Sequence, residues 1–417
     1  MCSSDLLVRR ADGSLQRIGN WPSESSPEAL RERERHYCLD ITHPLAAEWL
    51  RELFATIARA GYEMIKIDFV AWSILAAERF HDTTRSAAQV YRDGAAIMRA
   101  AVGDACHLLE CGPGNVTVGL IDSMRIEADT NYGSADAAWK QYFTDPASSS
   151  AAAARRYYFH RRTWINDVDH VCLDLLTQQQ AEAVATLVAL SGGNTISGDR
   201  LVDLEPAKLE VLKKILPAYG DAATPVDLFE AAAPATFVLH VERPFARWTI
   251  VALFNADLTG AVERRVPLER LGLDARAEYL AFDFWKARFF GRTRSGLVAT
   301  LAPGSVTLLA LHEATGAPQW LSTSRHVVQG GLELEDARWL EAGRTYSGVS
   351  TGPRGSAHDV FVFVPGDHAW TWERPSRVSS RADYSVRLVE ANVARVRVRF
   401  DERERVAWKI VPDELAF

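Results

Sequence analysis

The stretch YEMIKIDFV, residues 62–70, decides the fold of the first half of the chain. It is a short, mainly apolar run that follows Gly61, as expected of a largely buried strand. The preceding residues 44–61, PLAAEWLRELFATIARAG, place apolar side chains at helical spacing and end at that glycine, which is typical of an amphipathic helix. A helix that leads straight into a strand indicates a crossover connection, and therefore a parallel sheet.

The same alternation of strands and helices runs from about residue 36 to residue 199. The predicted strands are HYCLD (36–40), YEMIKIDFV (62–70), CHLLECG (106–112), SMRIEADT (123–130), DHVCLDLL (169–176) and NTISGD (194–199). No GxGxxG motif follows the first strand, so the pattern favours a (β/α)8-type barrel over a doubly wound sheet. Because about six strands are present, the predicted barrel is incomplete, and we expect exposed strand edges and exposed apolar helix surface.

After residue 233 the periodicity changes from helical to alternating. Segments such as FVLHVE (237–242), RWTIVALFNA (247–256) and SVTLLALHE (305–313) are separated by short polar turns, which is typical of antiparallel sheets. We therefore predict a catalytic barrel over residues 1–233. We predict a C-terminal β-sandwich over residues 234–316 and a further β-rich region over residues 317–417.

Composition argues against several classes of function. The net charge of −7 gives no reason to expect binding to nucleic acid or to an anionic membrane. The start of the chain, MCSSDLLVRRADGS, lacks the apolar core of a signal peptide, so we expect a cytoplasmic protein. The five cysteines are odd in number and have no CxxC spacing, which indicates neither a disulfide framework nor a zinc site. We expect no cofactor and no metal.

Candidate catalytic side chains lie at the C-terminal ends of the predicted strands, the face on which barrels carry their active sites. Lys66 and Asp68 lie two residues apart and share one face of their strand, and Arg125 and Asp129 end another strand. Glycosidases use two carboxyl groups, one ionised and one protonated. Lys66 would favour the ionised form of Asp68, as a nucleophile requires. An ion pair without catalytic duty remains the alternative.

Further candidates have an equally plain structural interpretation. Cys111 ends the strand 106–112 and Trp164 begins WINDVD (164–169), yet both residue types are common in protein cores. The aspartates of WINDVD would also suit a turn. Asp199 is interpreted as the N-cap of the helix that follows it.

These residues lie in motifs that resemble those of the α-galactosidase (melibiase) group, glycoside hydrolase family 36 and its relatives in the same clan. The motifs appear in order over about residues 36–315. They include GYEMIKIDF (61–69), ECGPGN (110–115), DSMRIEADTNYGSADAAW (122–139), WINDVDHVCLD (164–174) and LSGGNTISGDRLVDL (190–204). Members of the group carry the nucleophile in a K-x-D strand and the acid/base in a later R-I-x-x-D segment. Here phenylalanine follows KID, and RIEAD replaces a Ser-Asp-Asp run, which is typical of a less familiar branch.

The resemblance implies a retaining double displacement on terminal α-linked galactose-type sugars, through a β-linked glycosyl-enzyme. Asp68 is the implied nucleophile and Asp129 the implied acid/base. The residues expected to bind substrate are Lys66 and Arg125 on sugar hydroxyls, Cys111 near position 2 of the sugar, and also Trp164 and Asp40. The substrate would be an α-galactoside or a related oligosaccharide, and a homo-oligomer is expected to be possible.

Members of the group carry two more barrel strands, and usually a large β-sandwich, before the HYCLD-like strand. The resemblance therefore implies that an N-terminal part is missing and that this chain alone is weakly active or inactive. Two alternatives remain open. One is a metal-dependent barrel of the enolase type with Asp68, Glu110 and Asp129 as ligands, and the other is an inactive carbohydrate-binding fragment.

Overall fold

The computed structural model describes residues 4–16, 37–69, 74, 77–112, 114–127, 129–130, 133–231, 233–366 and 383–410. The chain divides into two compact units. The first unit comprises Met1–Ile126 and Tyr158–Asp167, and the second comprises Glu127–Tyr157 and Val168–Phe417. The domain boundaries predicted after residues 233 and 316 follow changes in sequence pattern, and they stay predictions.

The first unit alternates helices with parallel strands. Its elements are α1 (Pro44–Arg59), β1 (Met64–Ile67), α2 (Ala87–Val102), β2 (His107–Glu110), β3 (Ser123–Arg125) and the first residues of β4 (Ile165–Val171). The strands pair in parallel in chain order, with Ile67 opposite Glu110 and Met124 opposite Asn166. The predicted parallel arrangement is therefore confirmed in this unit.

Local capping explains where the two helices of this unit begin. The ring Nδ1 of His43 accepts a 3.2 Å hydrogen bond from the N–H of Leu45, and Pro44 fills the first helical position of α1. Ser86 and Gln89 form a capping box at the start of α2. These caps satisfy backbone N–H groups that a helix start leaves without partners.

One face of α1 carries large apolar side chains that stay exposed. Leu45, Trp49 and Leu53 recur at a spacing of four residues and are 61%, 53% and 38% exposed, whereas Phe54 is buried. Met64 at the start of β1 is exposed as well. The expected exposure of apolar helix surface is thus present in this unit.

Residues 37–40 differ from the sequence prediction of a barrel strand over 36–40, whose first residue lies outside the described part. Leu39 forms an antiparallel bridge with Leu7. The N–H of Val8 donates to the carbonyl oxygen of Cys38 at 3.0 Å, so the N-terminal segment is the partner of this stretch. An isolated bridge needs only one facing pair of residues, which hydrophobic periodicity does not reveal. The described parallel strands therefore number five.

The second unit continues the alternation. It holds α3 (Ala135–Trp139), a π-helical turn (Lys140–Thr144), α4 (Ser149–Arg156), the rest of β4, α5 (Gln178–Leu190), β5 (Asn194–Ser197) and α6 (Pro206–Lys213). The N–H of Gly198 donates to the carbonyl oxygen of Val171 at 2.9 Å, which sets β5 beside β4. The strand predicted at 169–176 lies earlier, at 165–171, because residues 173–176 form a turn closed by the Leu176 N–H on the Leu173 carbonyl oxygen.

The remaining strands of the second unit are antiparallel, as the alternating pattern predicts. They are β6 (Thr224–Pro225), β7 (Thr236–Arg243), β8 (Ala246–Asn255), β9 (Val262–Pro267), β10 (Tyr279–Asp283), β11 (Arg288–Thr293), β12 (Gly296–Leu301), β13 (Ser305–Glu313), β14 (Gln319–Thr323), β15 (Leu334–Leu340), β16 (Thr345–Thr351), β17 (Ala357–Phe363), β18 (Tyr384–Glu390), β19 (Val393–Arg399) and β20 (Arg405–Ile410). They form sheets in the orders β11-β10-β13-β8-β7-β6, β12-β9, β14-β17-β19-β18 and β15-β16-β20.

Apolar clusters join these sheets into one unit. Leu253 and Leu309 of the six-stranded sheet share a buried cluster with Leu301 of β12. Phe282 of β10 packs on Phe361 of β17, with ring centroids 4.6 Å apart. Helix α5 is buried along most of its length and packs on β13. In the described part of the chain, none of the helices is both long and apolar enough to cross a membrane.

Candidate functional site

Asp68 directly follows β1, at the carboxyl end of a parallel strand. The N–H of Cys111 donates to the carbonyl oxygen of Ile67 at 2.9 Å, so the ladder between β1 and β2 extends to the residue before Asp68. One carboxylate oxygen of Asp68 accepts a 2.7 Å hydrogen bond from the N–H of Phe69. Phe69 has a φ of 62°, which is uncommon for a bulky residue and recurs at functional sites. The backbone on both sides of Asp68 is therefore held in place.

Four charged side chains act electrostatically on the thiol of Cys111, which is buried at the end of β2. Burial raises the pKa of this thiol to about 12. The positive charges of Arg125 and Lys66 oppose the rise, and the negative charges of Asp68 and Asp167 add to it. The thiol is protonated at neutral pH and is therefore no nucleophile. We call Lys66, Asp68, Cys111, Arg125 and Asp167 the Cys111 cluster. The structure thus brings four of the predicted site residues together.

Asp167 joins this cluster through the pairing of β3 with β4. Arg125 lies opposite Asp167 in the parallel register, and the N–H of Ile126 donates to the carbonyl oxygen of Asp167 at 2.9 Å. Asp167 is fully buried and Arg125 is half-buried. The sequence leaves a turn open as one interpretation of Asp167, and the structure places it inside strand β4, which begins at Ile165. The signal that could have identified Asp167 is the alternation in INDVD, which points Asp167 and Asp169 to one side of a strand.

A cavity of about 330 Å³ lies beside Asp68 in the first unit. Its walls are mainly apolar and come chiefly from residues 37–41, α1, the end of β1 and α2. Asp68 and Phe69 also line it, and Trp49 and Tyr91 are among its aromatic side chains. Aromatic rings of this kind can stack on the apolar face of a pyranose ring. The cavity therefore offers space and apolar surface next to the candidate nucleophile.

Glu110, at the end of β2, is a structural carboxyl. It is 2% exposed, and the hydroxyls of Tyr91 and Thr117 each donate to one of its oxygens. Burial raises the pKa of Glu110 and also that of Tyr91. A Cβ at Gly112 would lie 2.7 Å from a Glu110 oxygen and 2.8 Å from the Tyr91 hydroxyl, so this contact explains the glycine of the ECG motif.

The enolase-type alternative requires a set of acidic metal ligands. Among the described residues, no three His, Cys, Asp or Glu side chains are grouped so that they could hold a metal ion. Both oxygens of Glu110, one of the three ligands that this alternative needs, are bound by hydroxyl donors instead. The structure therefore gives this alternative no support.

Asp129 lies in the second unit, three residues after Ile126, where the first segment of the first unit ends. Its side chain is exposed, while Thr130 behind it is buried. The side-chain amide of Gln141 donates to the carbonyl oxygen of Asp129, and the carboxylate of Asp169 accepts the N–H of Thr130 at 2.8 Å. Asp169 is 2% exposed and has a φ of 59° within β4. An exposed carboxylate is thus carried on a backbone that is bound from two directions.

Two other predicted substrate-binding residues take part in internal contacts. The carboxylate of Asp40, 2% exposed, accepts the N–H and hydroxyl of Thr42 at 3.0 and 2.6 Å and the N–H of His81 at 2.6 Å. Trp164 is buried, stacks on Phe159 at 5.0 Å, and donates its indole N–H to Asn166. Neither is among the charged neighbours of Cys111, and their substrate-binding role stays a prediction.

The interpretation of Asp199 as a helix N-cap is wrong. Its carboxylate accepts the N–H of Leu173 at 2.9 Å and that of Asp174 at 3.2 Å, in the turn after β4. The following helix, α6, begins later, at Pro206, with Glu205 at its N-cap position. A carboxylate that binds a neighbouring turn in space has no local sequence signal.

No family model matches the sequence. Among solved structures, the fold is similar to that of a β-L-arabinopyranosidase of glycoside hydrolase family 27 from Geobacillus stearothermophilus, with a TM-score of 0.51 and 16% identity over 67% of this chain and 65% of that chain. A variant of that enzyme in complex with arabinose aligns with a TM-score of 0.51 and 15% identity over the same shares. α-Galactosidase I from Mortierella vinacea aligns with a TM-score of 0.48 and 16% identity over 63% of this chain and 70% of that chain.

The likeness to the arabinopyranosidase, together with the parallel strands and antiparallel sheets described above, confirms the predicted fold class. That class is a (β/α) barrel-type arrangement followed by a C-terminal all-β region. The chain spans about 65% of the length of the arabinopyranosidase.

Proposed function

We propose that this chain is a glycoside hydrolase that cleaves terminal α-linked galactose-type sugars with retention, using Asp68 as nucleophile and Asp129 as acid/base. The observation that supports this best is the Cys111 cluster. It holds a half-buried carboxylate at the carboxyl end of a parallel strand, and Asp68, Lys66 and Arg125 all act electrostatically on the same buried thiol. A nucleophilic carboxylate attacks in its ionised form.

In the first step, the Asp68 carboxylate attacks the anomeric carbon as the bond to the leaving oxygen breaks. The carboxyl proton of Asp129 passes to that oxygen, and the sugar becomes an ester of Asp68. In the second step, Asp129 takes a proton from water, the water oxygen attacks the anomeric carbon, and the Asp68 carboxylate leaves. Two inversions give net retention. Asp129 is exposed, which suits a group that exchanges protons with water.

Lys66 and Arg125 would bind sugar hydroxyls as donors that carry no acceptor atom. The thiol of Cys111 is neutral, so it would contact the sugar near position 2 as a small, weakly polar group. Burial of that thiol among four charged groups supports a contact role over a reactive one.

We propose the class of sugar from the ring configuration that L-arabinopyranose and D-galactopyranose share. L-Arabinopyranose has the ring hydroxyl configuration of D-galactopyranose and lacks only the exocyclic CH₂OH. The arabinose complex of the fold neighbour supports a pyranose substrate of this configuration. Both α-D-galactopyranosides and β-L-arabinopyranosides are therefore the substrates to compare.

The experiment is hydrolysis of 4-nitrophenyl α-D-galactopyranoside and 4-nitrophenyl β-L-arabinopyranoside, followed by ¹H NMR of the anomeric proton. We expect slow turnover in which the first product has the anomeric configuration of the substrate. Asp68→Asn, which keeps shape and removes the nucleophilic charge, should abolish turnover. A first product of inverted configuration, or an Asp68→Asn variant as active as the unmodified chain, would overturn the mechanism.

One observation favours the second candidate, a carbohydrate-binding fragment without turnover. Asp40 and Trp164, both predicted to bind substrate, are used in internal contacts instead. Isothermal titration with galactose and with L-arabinose separates the two. Sugar binding that Asp68→Asn leaves unchanged, in a chain that turns over neither nitrophenyl glycoside, would support the fragment.

A further inference from the structure

The backbone that carries Asp129 is held by two side chains that no catalytic step uses. We propose that Asp169 and Gln141 are positioning residues for Asp129, and that they aim its carboxyl group at the leaving oxygen. This inference rests on the proposed function. All of the residues involved lie in the second unit.

The first contact fixes the residue after Asp129. A carboxylate oxygen of Asp169 accepts the N–H of Thr130 at 2.8 Å, and both residues are at most 4% exposed. Hydrogen bonds from N–H groups to ionised carboxylates are stronger than neutral ones. The other carboxylate oxygen of Asp169 lies 3.5 Å from Nδ1 of His170. A buried carboxylate is costly unless its oxygens are hydrogen-bonded, and the Thr130 N–H supplies one such bond.

The conformation of Asp169 adds to the cost of this arrangement. Its φ of 59° lies in the left-handed region, although it is a residue of strand β4 and has a side chain. Such a conformation persists where the surrounding structure requires it, and it clusters at functional sites. A residue whose only role was to end strand β4 would need neither a left-handed conformation nor a buried carboxylate.

The second contact fixes Asp129 itself. The side-chain amide of Gln141 donates to the carbonyl oxygen of Asp129. Gln141 lies in the π-helical turn Lys140–Thr144, and Tyr142 of that turn donates its hydroxyl to the carbonyl oxygen of His170 at 2.6 Å. The Tyr142 hydroxyl also accepts the N–H of Cys172 at 3.1 Å. The turn that bears Gln141 is therefore tied to β4 next to Asp169, so both contacts share one support.

The consequence for catalysis follows from the exposure of Asp129. Its side chain is in contact with solvent and extends from the backbone that Asp169 and Gln141 hold, so a shift of that backbone also shifts the carboxyl group. A general acid has to lie within hydrogen-bond reach of the leaving oxygen. A displacement of about 1 Å at such a group costs roughly 10²-fold in rate. Removal of either contact should therefore impair proton donation, while Asp68 and the sugar-binding residues are unaffected.

The test compares two leaving groups on the full chain. A dinitrophenolate leaves without protonation, whereas the glucose of melibiose needs a proton from the acid. We measure kcat/KM for 2,4-dinitrophenyl α-D-galactopyranoside and for melibiose, because kcat/KM reports the step that breaks the glycosidic bond. The variants are Asp169→Ala, Asp169→Asn, Gln141→Ala and, as the reference for complete loss of the acid, Asp129→Ala.

We expect Asp169→Ala and Gln141→Ala to lower kcat/KM for melibiose by about 10²-fold or less, and to leave the value for the dinitrophenyl substrate near that of the unmodified chain. Asp169→Asn keeps an acceptor oxygen for the Thr130 N–H and should retain most of the melibiose activity. Azide, which attacks the glycosyl-enzyme without a general base, should restore kcat of the variants on the dinitrophenyl substrate. A matched control is Asp199→Ala, which removes a carboxylate that binds backbone N–H groups elsewhere. It should lower both values in parallel or neither.

The outcomes are distinguishable. If Asp129→Ala affects both substrates equally, or if the unmodified chain turns over neither, the proposed function fails and the positioning role falls with it. A second outcome is that Asp129→Ala lowers kcat/KM for melibiose but not for the dinitrophenyl substrate. If neither Asp169→Ala nor Gln141→Ala then shows this difference between the substrates, the positioning role alone is overturned. Should Asp169→Ala fail to fold, Gln141→Ala decides, because Gln141 is partly exposed and its loss leaves no buried group without a partner.

Discussion

The N–H of Cys111 donates a 2.9 Å hydrogen bond to the carbonyl oxygen of Ile67, the residue before Asp68. This single bond extends the β1–β2 ladder to the end of both strands. It sets the KID motif against the ECG motif, which are separated by more than 40 residues in the chain. The relative position of Asp68 and Cys111 is thus a property of the parallel sheet, not of a loop.

The Cys111 thiol should resist alkylation in the folded chain. Burial raises its pKa to about 12, so the thiolate, which is the reactive form, is scarce below that pH. Iodoacetamide labelling at pH 8.5, read peptide by peptide by mass spectrometry, should be far slower at Cys111 in buffer than in urea. The half-buried Cys38 should label faster than Cys111 in the folded chain. Equal labelling of the two thiols in buffer would contradict the burial of Cys111 among these charges.

Gly112→Ala should destabilise the first unit. The new Cβ would lie 2.7 Å from a Glu110 oxygen and 2.8 Å from the Tyr91 hydroxyl, and overpacking of this kind costs about 1–3 kcal/mol. Gly94→Ala is the matched control. Its Cβ would meet only Ile41 at 3.7 Å within helix α2, so it should raise the free energy of unfolding by about 0.5–1 kcal/mol. Urea unfolding of the two variants measures the difference, and opposite signs are the expected result.

Glu110→Gln should gain stability relative to the unmodified chain as the pH rises. Burial raises the pKa of Glu110 in the folded state, so the unfolded chain releases this proton first. The stability that the protonated carboxyl contributes is present below its ordinary pKa and is lost as the pH rises through the raised one. The glutamine variant does not titrate. The difference in free energy of unfolding between variant and unmodified chain, measured from pH 4 to pH 7, should shift in favour of the variant; a shift in the other direction would refute the assignment.

Asp40→Ala should lower the free energy of unfolding, as expected if the Asp40 carboxylate is structural. The change removes the acceptor for two donors of Thr42 and one of His81, which are only partly buried, so we expect a total cost of about 1–3 kcal/mol. Asp12→Ala removes the acceptor for the N–H and the hydroxyl of Ser14 in an exposed turn, and it should cost much less. Thermal unfolding compares them. If Asp40→Ala unfolds at the temperature of the unmodified chain, its main role lies outside the fold.

The sequence predicts the parallel part of the fold through hydrophobic periodicity and the antiparallel part through alternation, since both depend on local spacing. It also predicts Lys66, Asp68, Cys111 and Arg125 as neighbours, because the ends of adjacent parallel strands meet at one edge. The start of β4 was placed four residues late, since polar residues of INDVD interrupt the apolar run. A turn therefore remains an open interpretation of Asp167 at the level of sequence.

Long-range polar contacts are the part that the sequence does not reveal. Asp199 binds the N–H groups of residues 173 and 174, and Asp169 binds that of Thr130. Each pairing joins segments 25 or more residues apart through one or two N–H donors, so no periodicity marks it. The pairing of Leu39 with Leu7 escaped prediction for the same reason.

The most direct test of the proposed catalytic role is to trap the nucleophile. 5-Fluoro-α-D-galactopyranosyl fluoride carries a leaving group that needs no acid, and its ring fluorine slows release of the glycosyl-enzyme, so an adduct accumulates even where turnover is slow. After digestion and mass spectrometry, we predict a fluorogalactosyl adduct on the peptide that contains Asp68, its absence in Asp68→Asn, and its persistence in Asp129→Ala. No adduct on Asp68 after prolonged incubation, or an adduct on a different carboxylate such as Glu110, would contradict the proposal.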